Sequence, residues 1–443
     1  MQKIFYYFTV FILLIGCKIS KNSQAKPNDN QIKTSSRFKL NDISGNKILD
    51  NSTLLFSLNA SEPHVYINPK NPANIVGGSI LDNVYFTTDT GKTWQKQKLK
   101  SSFGVYGDPV LIADKQGHFY YFHLSPGKAK NGYFLDRIVV QKSTDGGKTW
   151  SDGKGIGYNP PKQQDKPWPA YDPEKNLLAV AWTEFDKYGS KAPEHKSRIL
   201  ISISRDGGTT WTKPVKINDT DGDCLDDDNT VEGAVPVFDE KGNIYVVWAY
   251  NGKLWLDYST DFGKTWHQDR IIGTQKAGWT FDIQGIYRTN GLPNFKRDAK
   301  TGFFYVVYGD YDEKTGGDVY YIMSKDQTKT WSAPKKIPVN DKNDQFFPTM
   351  DVQDGKIWVA YYDRSNMQND STEIKLSVFN SEMIKLHEAK LSEKPFKPVK
   401  RLFFGDYIGL DVHKNIISIF WTEVNPKKQL ELHAKTLKYE ENQ

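Results

Sequence analysis

Short apolar runs recur along this chain, separated by polar segments that carry glycine and proline. They are Ile75–Ser79, Phe119–Phe122, Leu178–Trp182, Ile244–Trp248, Phe304–Tyr308, Ile357–Tyr361 and Ile416–Trp421. Their length and their β-branched and aromatic content are those of strands. A second short strand, opened by a polar residue and often a proline, precedes each run. Its copies are Glu62-Pro63-His64-Val65, Asp108-Pro109-Val110-Leu111, Asp165-Lys166-Pro167-Trp168, Glu232-Gly233-Ala234-Val235, Ile286-Tyr287-Arg288, Phe347-Pro348-Thr349-Met350 and Asp406-Tyr407-Ile408-Gly409. Seven such units at a period of roughly 50–60 residues predict an all-β fold, a β-propeller of four-stranded blades. The unit that starts at Asp406 has room for three strands, so Lys47–Leu58 is expected to supply the fourth and close the ring.

Between the runs an octapeptide repeats. It reads Thr87-Thr-Asp89-Thr-Gly91-Lys-Thr93-Trp94, and returns at Ser143–Trp150, Ser204–Trp211 and Ser259–Trp266, with a degenerate copy at Ser324–Trp331. The tryptophans lie 56, 61, 55 and 65 residues apart. Asp and the leading hydroxyl residue can bond local backbone N–H groups, glycine permits a positive φ, and tryptophan buries its ring. The box is therefore a structural hairpin between the third and fourth strands of a blade. Catalysis is expected on the opposite face, around the axis.

That opposite face gathers the strand entries. Glu62, Asp108, Asp165 and Glu232 are the acid/base candidates there, and Tyr287 and Tyr407 are candidate nucleophiles or sugar platforms. His64, Trp168, Arg288, Asp363, Arg364 and Asp406 are expected to bind substrate. Facing carboxylates support acid/base chemistry on a glycosidic bond. The competing structural reading is that repeated acids, such as those in Trp182-Thr-Glu184 or Tyr361-Tyr-Asp363, bond backbone or lysine in a neighbouring blade. Residues that break the repeat, among them His64, Trp168, Tyr287, Arg288 and Tyr407, are the better functional candidates.

The loop Asp219–Asn229 carries six carboxylates. A structural Ca2+ held by Asp221, Asp223, Asp226 and Asp228 is one reading, and a solvated acidic loop is the other, because the full EF-hand pattern is missing. No cofactor is otherwise required.

Composition changes the picture mainly at the N-terminus. The net charge is +6, with 59 basic and 53 acidic residues and no long basic run, so nucleic acid is not an expected partner. Two cysteines, Cys17 and Cys224, form no disulfide framework. An apolar run from Ile4 to Gly16 ends in Leu14-Ile15-Gly16-Cys17, which matches a bacterial lipobox. Residues 1–16 are then a signal peptide and Cys17 the lipidated residue, with the membrane as partner through that anchor. Residues 17–46, rich in Lys, Ser and Asn, read as a disordered tether, and 47–443 as the propeller. The expected location is the outer membrane, on its periplasmic or cell-surface side, and the expected state is a monomer.

The octapeptide is the Asp-box, or BNR repeat, and the chain resembles the sialidase/BNR superfamily. Glu62-Pro-His-Val, Gly222–Asp226 through Pro236, and Gly285-Ile-Tyr-Arg288 through Pro293 are similar to a Bacteroidetes group of sialidase-like proteins or glycosyl hydrolases. The resemblance implies a glycan or polysaccharide as partner. Sialidases have six blades, so six with one irregular unit is the alternative to seven. True sialidases clamp the substrate carboxylate with three arginines, the first in an R-I-P motif. Here that region reads Glu62-Pro63-His64, and Arg37 is the only arginine before Thr87. Two functions remain open: a glycan-processing glycoside hydrolase that is not a true sialidase, and a non-catalytic lipoprotein that binds glycan or protein.

Overall fold

The second strand of each unit is buried on both faces; in Leu177–Phe185 every residue is buried. A strand sandwiched between neighbouring sheets has no solvent side, which is why these runs are continuously apolar. Fourth strands lie outermost and are polar, as in Gln95–Lys98. The computed structural model describes residues 38–52, 59–127, 135–337 and 343–441, and every helical or strand element among them is a strand.

Seven antiparallel sheets of four strands form seven blades. Blade 1 is His64–Ile67, Ile75–Ser79, Asn83–Thr87 and Gln95–Lys98. The first strands of blades 2 to 7 are Val110–Ala113, Gln163–Asp172, Glu232–Phe238, Asn294–Arg297, Gln345–Gln353 and Gly409–His413. Each first strand touches that of the next blade, and blade 7 touches blade 1, so the seven surround an axis. Seven blades are present, not six. Blade faces meet closely. A Cβ at Gly77 would strike the Phe420 ring of blade 7, and one at Gly78 would strike Tyr121 of blade 2.

The ring closes through the N-terminal segment, and here two expectations need correcting. Phe38–Asp42 pairs with Leu437–Glu441, and Lys47–Asn51 with Glu431–Ala434, around a bulge at Ile48/Asp50. The closing strand thus begins nine residues before Lys47, inside the segment read as tether. Lysine and asparagine disguise its apolar anchor: Phe38 is buried 5.7 Å from Trp358 and stacks 5.8 Å from Tyr439. Asp50 fastens the strand to blade 1, accepting from the Tyr85 hydroxyl at 2.8 Å and from Lys96 at 2.6 Å. The expected signal peptide, Cys17 and the expected tether up to Arg37 lie outside the described residues. Among the described residues no helix is long and apolar enough to cross a membrane.

The Asp-boxes sit between third and fourth strands. In blade 3, Ser204 Oγ donates to Asp206 Oδ1 at 2.9 Å and accepts from Gly208 N at 2.9 Å. Thr210 donates its amide at 2.9 Å and its hydroxyl at 2.6 Å to the same carboxylate. These two bonds hold Asp206 down to about 2. Trp211 donates to Gly208 O at 3.2 Å and meets Phe122 of blade 2 edge-on. The box tryptophans Trp150 and Trp211 are half-buried rather than enclosed; Trp211 lies against Phe122 of the preceding blade and Trp150 against Tyr121 of its own.

Candidate functional site

A recurrent kink points the strand entries at the axis. Glu62, Asp108, Lys166 and Phe347 each precede a proline and hold φ of 50°, 49°, 50° and 47°. Gly233 holds the corresponding place in blade 4 with φ of 71°. For the four non-glycine residues this conformation costs about 1–3 kcal/mol each, and such strain persists only where the surroundings enforce it. Register shifts at Asp165/Trp168, Glu232/Val235 and Phe346/Thr349 mark bulges at the same point of blades 3, 4 and 6. A bulge re-aims side chains and ends regular pairing.

The entries converge. Glu62, Asp108, Asp165, Glu232 and Asp406 form one electrostatically coupled cluster, joined by Asp226 and by two cations, Lys166 and Arg288. Arg288 grips Asp406 with Nε at 3.0 Å and with Nη2, and reaches Asp226 Oδ2 with Nη1 at 3.0 Å. Lys166 Nζ lies 3.1 Å from Asp406, and its side chain is 13% exposed. The Tyr188 hydroxyl donates to Asp226 at 2.5 Å.

These partners divide the acids into two classes. Burial works against ionising Asp406, but Arg288 and Lys166 overcome it and hold the carboxyl well below its ordinary range. Asp226 is also held down, by Lys166, the Glu232 contact, Arg288 and Tyr188 against its own burial. The other four move up. Burial, then Asp108 and Asp406, raise Glu62; burial raises Asp108; burial and the neighbouring Asp108 raise Asp165. Glu232 is fully buried, no donor reaches either carboxyl oxygen with ordinary geometry, and it is raised by burial and Asp226. Neighbouring carboxyls that cannot both ionise divide one proton between them, and Asp108 stands beside Asp165, and Asp226 beside Glu232, in this relation. The mouth therefore holds two carboxylates against two cations, with four further carboxyls displaced toward the protonated form.

Aromatic side chains floor the mouth. Trp168 meets His64 at 5.6 Å and Tyr407 at 5.8 Å, both edge-on. His64 accepts from Leu111 N at 3.3 Å, and burial, helped by Lys296, pushes it down to about 3, so it is neutral. A cavity of about 60 Å³ lies among Asp108, Lys166, Trp168, Asn290, Asp406 and Tyr407. Asp108 is the half-exposed acid that lines it.

Other expected site residues lie elsewhere. Tyr407 donates to Pro109 O at 3.1 Å, and burial with Glu62 and Asp108 raises its phenol further, which opposes a nucleophilic role. Tyr287 stands on the rim, 59% exposed, and Ile286–Arg288 belongs to the connection before blade 5 rather than to its first strand. Arg364, 1% exposed, donates to Gln284 O at 2.8 Å, Thr372 Oγ1 at 2.9 Å and Asp344 at 3.1 Å. It fastens a loop and is not paired with Arg288. Asp363 is fully buried against Lys375 at 2.7 Å, the structural fate expected of repeated acids. The calcium quartet is dispersed. Asp221 pairs with Arg198 and Lys216, Asp223 accepts from Thr230, Asp226 turns to the axis, and Asp228 accepts from Thr280. Among the described residues no group of three or more acids, histidines or cysteines has metal-ligating geometry. Sequence reasoning missed Lys166 and Tyr188 as members of the mouth. A charged residue immediately before an entry proline was the available signal for Lys166; Tyr188 had none.

Residues 257–268 match the family model described as BNR/Asp-box repeat. No curated protein matches the chain. Among solved structures, a protein of unknown function from Dyadobacter fermentans DSM 18053 is 14% identical, with 89% of this chain and 100% of that one covered and a TM-score of 0.51. An ulvan lyase of a polysaccharide lyase family, bound to -[GlcA(1-4)Rha3S]-, is 11% identical over 86% of this chain and 95% of its own, with a TM-score of 0.52. A Hadza microbial sialidase is 12% identical over 82% and 73%, with a TM-score of 0.47. The chain is a seven-bladed propeller, and its segment 257–268 is a BNR/Asp-box repeat.

Proposed function

We propose that this protein is a glycoside hydrolase that processes a glycan at the axial mouth. The observation that carries the reading is the convergence of six carboxyls on two cations, with Asp406 and Asp226 held low by Arg288 and Lys166 and the others displaced upward by burial. Environments that push neighbouring acids apart are what acid/base catalysis on a glycosidic bond needs. The Asp108–Asp165 pair supplies the proton to the leaving oxygen, Asp108 being the member that faces open space. Asp406, kept ionised by Arg288 and Lys166, stabilises positive charge developing on the sugar ring; water then bonds to the anomeric carbon as the glycosidic bond breaks and returns a proton to the Asp108–Asp165 pair. Replacing Asp165 with Asn should lower turnover by about 10²–10⁴-fold, the usual contribution of a positioned proton donor, while binding persists. Reducing-end release from a glycan panel measures this, and undiminished turnover contradicts it.

Sialic acid is not the proposed substrate. Desolvating its carboxylate requires free cations, whereas Arg288 is matched by Asp226 and Asp406, and Arg364 is buried elsewhere. A second reading, glycan binding without cleavage, is favoured by the size of the axial cavity, about 60 Å³, which holds water but no sugar ring. Saturable binding with no turnover on any glycan would select it. The lipobox supports a membrane-anchored lipoprotein held through Cys17, and the outer membrane and a monomeric state are proposed with it.

A further inference from the structure

The three longest connections between blades, 217–231, 275–293 and 391–408, knit together beside the mouth. Thr280 donates its amide at 2.8 Å and its hydroxyl at 3.0 Å to Asp228. Arg288 joins Asp226 to Asp406, and Asn290 Nδ2 donates to Asp406 O at 3.0 Å. Thr280–Phe281 and Thr289–Asn290 pair as a small antiparallel ribbon. On the outer side of the 275–293 connection lies an open cleft of about 450 Å³, lined by Thr280, Phe281, Asp282, Tyr287, Arg288 and Thr289.

We propose that this cleft is a subsite for one neutral sugar ring, with Tyr287 as its platform, an inference that rests on the glycan reading of the mouth. The cleft is open to solvent and lets a pyranose lie against its wall, whereas the axial cavity of about 60 Å³ admits no ring. Tyr287 is oriented by Phe403, edge-on at 6.4 Å, and Phe403 is in turn covered by the Arg288 guanidinium at 5.4 Å. The phenol ring thus has an aromatic neighbour on one side while most of its surface stays open, as a stacking platform requires. Thr289 Oγ1 is buried and has no hydrogen-bond partner, so a ring hydroxyl entering the cleft would satisfy it after a small shift.

Charge selects the class of sugar. Arg288 is the one cation among the lining residues, and all three of its nitrogens are engaged by Asp226 and Asp406. Asp282 is exposed on the cleft. A uronate or sulfated ring entering here meets Asp282 and finds no free cation. A neutral ring instead donates its hydroxyls to the Asp282 carboxylate, a charge-assisted bond.

Calorimetric titration at neutral pH with hexasaccharides of glucose, mannose and xylose, and with a galacturonate hexamer, tests this. At least one neutral hexamer should bind, at least tenfold tighter than galacturonate. Tyr287→Ala should weaken that binding about tenfold with an unchanged melting temperature, and Tyr287→Phe should restore it. Equal or tighter galacturonate binding, indifference to Tyr287→Ala, or no binding to any hexamer overturns the subsite. Binding lost in Tyr287→Ala but without turnover by the wild type upholds the subsite and sinks the hydrolase. Turnover abolished by Asp165→Asn, with KM unmoved by Tyr287→Ala, does the reverse.

Discussion

Lys166 shows how much one side chain does here. Its φ is strained, its ammonium sits between six carboxyls, and its direct partner is Asp406. Removing one member of such a buried pair leaves the other uncompensated and typically costs 3–5 kcal/mol. Because Arg288 still grips Asp406, Lys166→Met is expected at the lower end, about 3 kcal/mol, measured by urea unfolding at neutral pH. A cost near zero would mean that Lys166 is not the cation of the mouth. The acidic loop gives a second expectation at this scale. Asp221, Asp223, Asp226 and Asp228 each answer to a different partner, so a chelator should leave the melting temperature unchanged. A fall on chelation that calcium reverses would restore the calcium reading by linkage.

Among the elements, the Asp-box is a hairpin lock whose tryptophan packs on a neighbouring aromatic ring. Trp150 donates to Gly147 O at 3.1 Å and meets Tyr121 at 5.6 Å, but is half-buried. Trp150→Ala is therefore expected to cost about 2 kcal/mol, below the 3–5 typical of enclosed aromatic rings, without altering kcat. A change in kcat at constant stability would place function on the box. The blades were legible in the sequence because each second strand is buried on both faces and each box repeats the same bonds. The first strand of blade 5, Asn294–Arg297, was not, because an inserted connection carrying Tyr287 and Arg288 imitates a strand entry. The closing strand was half legible: Lys47–Asn51 shows its pattern, while Phe38 and Leu40 are lost among polar neighbours. The convergence of Glu62, Asp108, Asp165, Glu232 and Asp406 could be anticipated from their shared position. Their division into protonated and ionised members could not, since it depends on Lys166, Arg288 and Asp226 arriving from other loops.

For the whole molecule, buried carboxyls set the pH dependence of stability. Asp257, fully buried with Oδ2 unpartnered, is pushed by burial up to about 8, and Glu423, in the same way, to about 7. Between the ordinary carboxyl value near 4 and those values, the folded chain binds protons that the unfolded chain has released. Stability must then fall as pH rises through that window. Asp406, held low, contributes the opposite slope only as pH drops below the ordinary carboxyl value. Histidines pushed down by burial, His64 and His123 among them, act in the opposite sense below their ordinary value of about 6.5. A melting temperature that declines from about pH 6.5, where those histidines are neutral in both states, toward pH 8 is therefore expected, with Asp257→Asn making the decline shallower; a flat profile over that window would contradict the protonated assignment. Anchoring is tested separately: Cys17→Ser should leave the protein unlipidated and out of the membrane fraction, and unchanged lipid labelling would remove the lipobox reading. The central claim is that a glycan is processed where the blade entries meet, and the position of a neutral oligosaccharide in crystals of the Asp165→Asn protein tests it most directly. The account expects one ring on Tyr287 and a glycosidic oxygen within hydrogen-bond reach, about 2.6–3.2 Å, of the carboxyl of Asp108 or the amide at 165. An oligosaccharide bound away from the axial mouth, with these groups untouched, would contradict it.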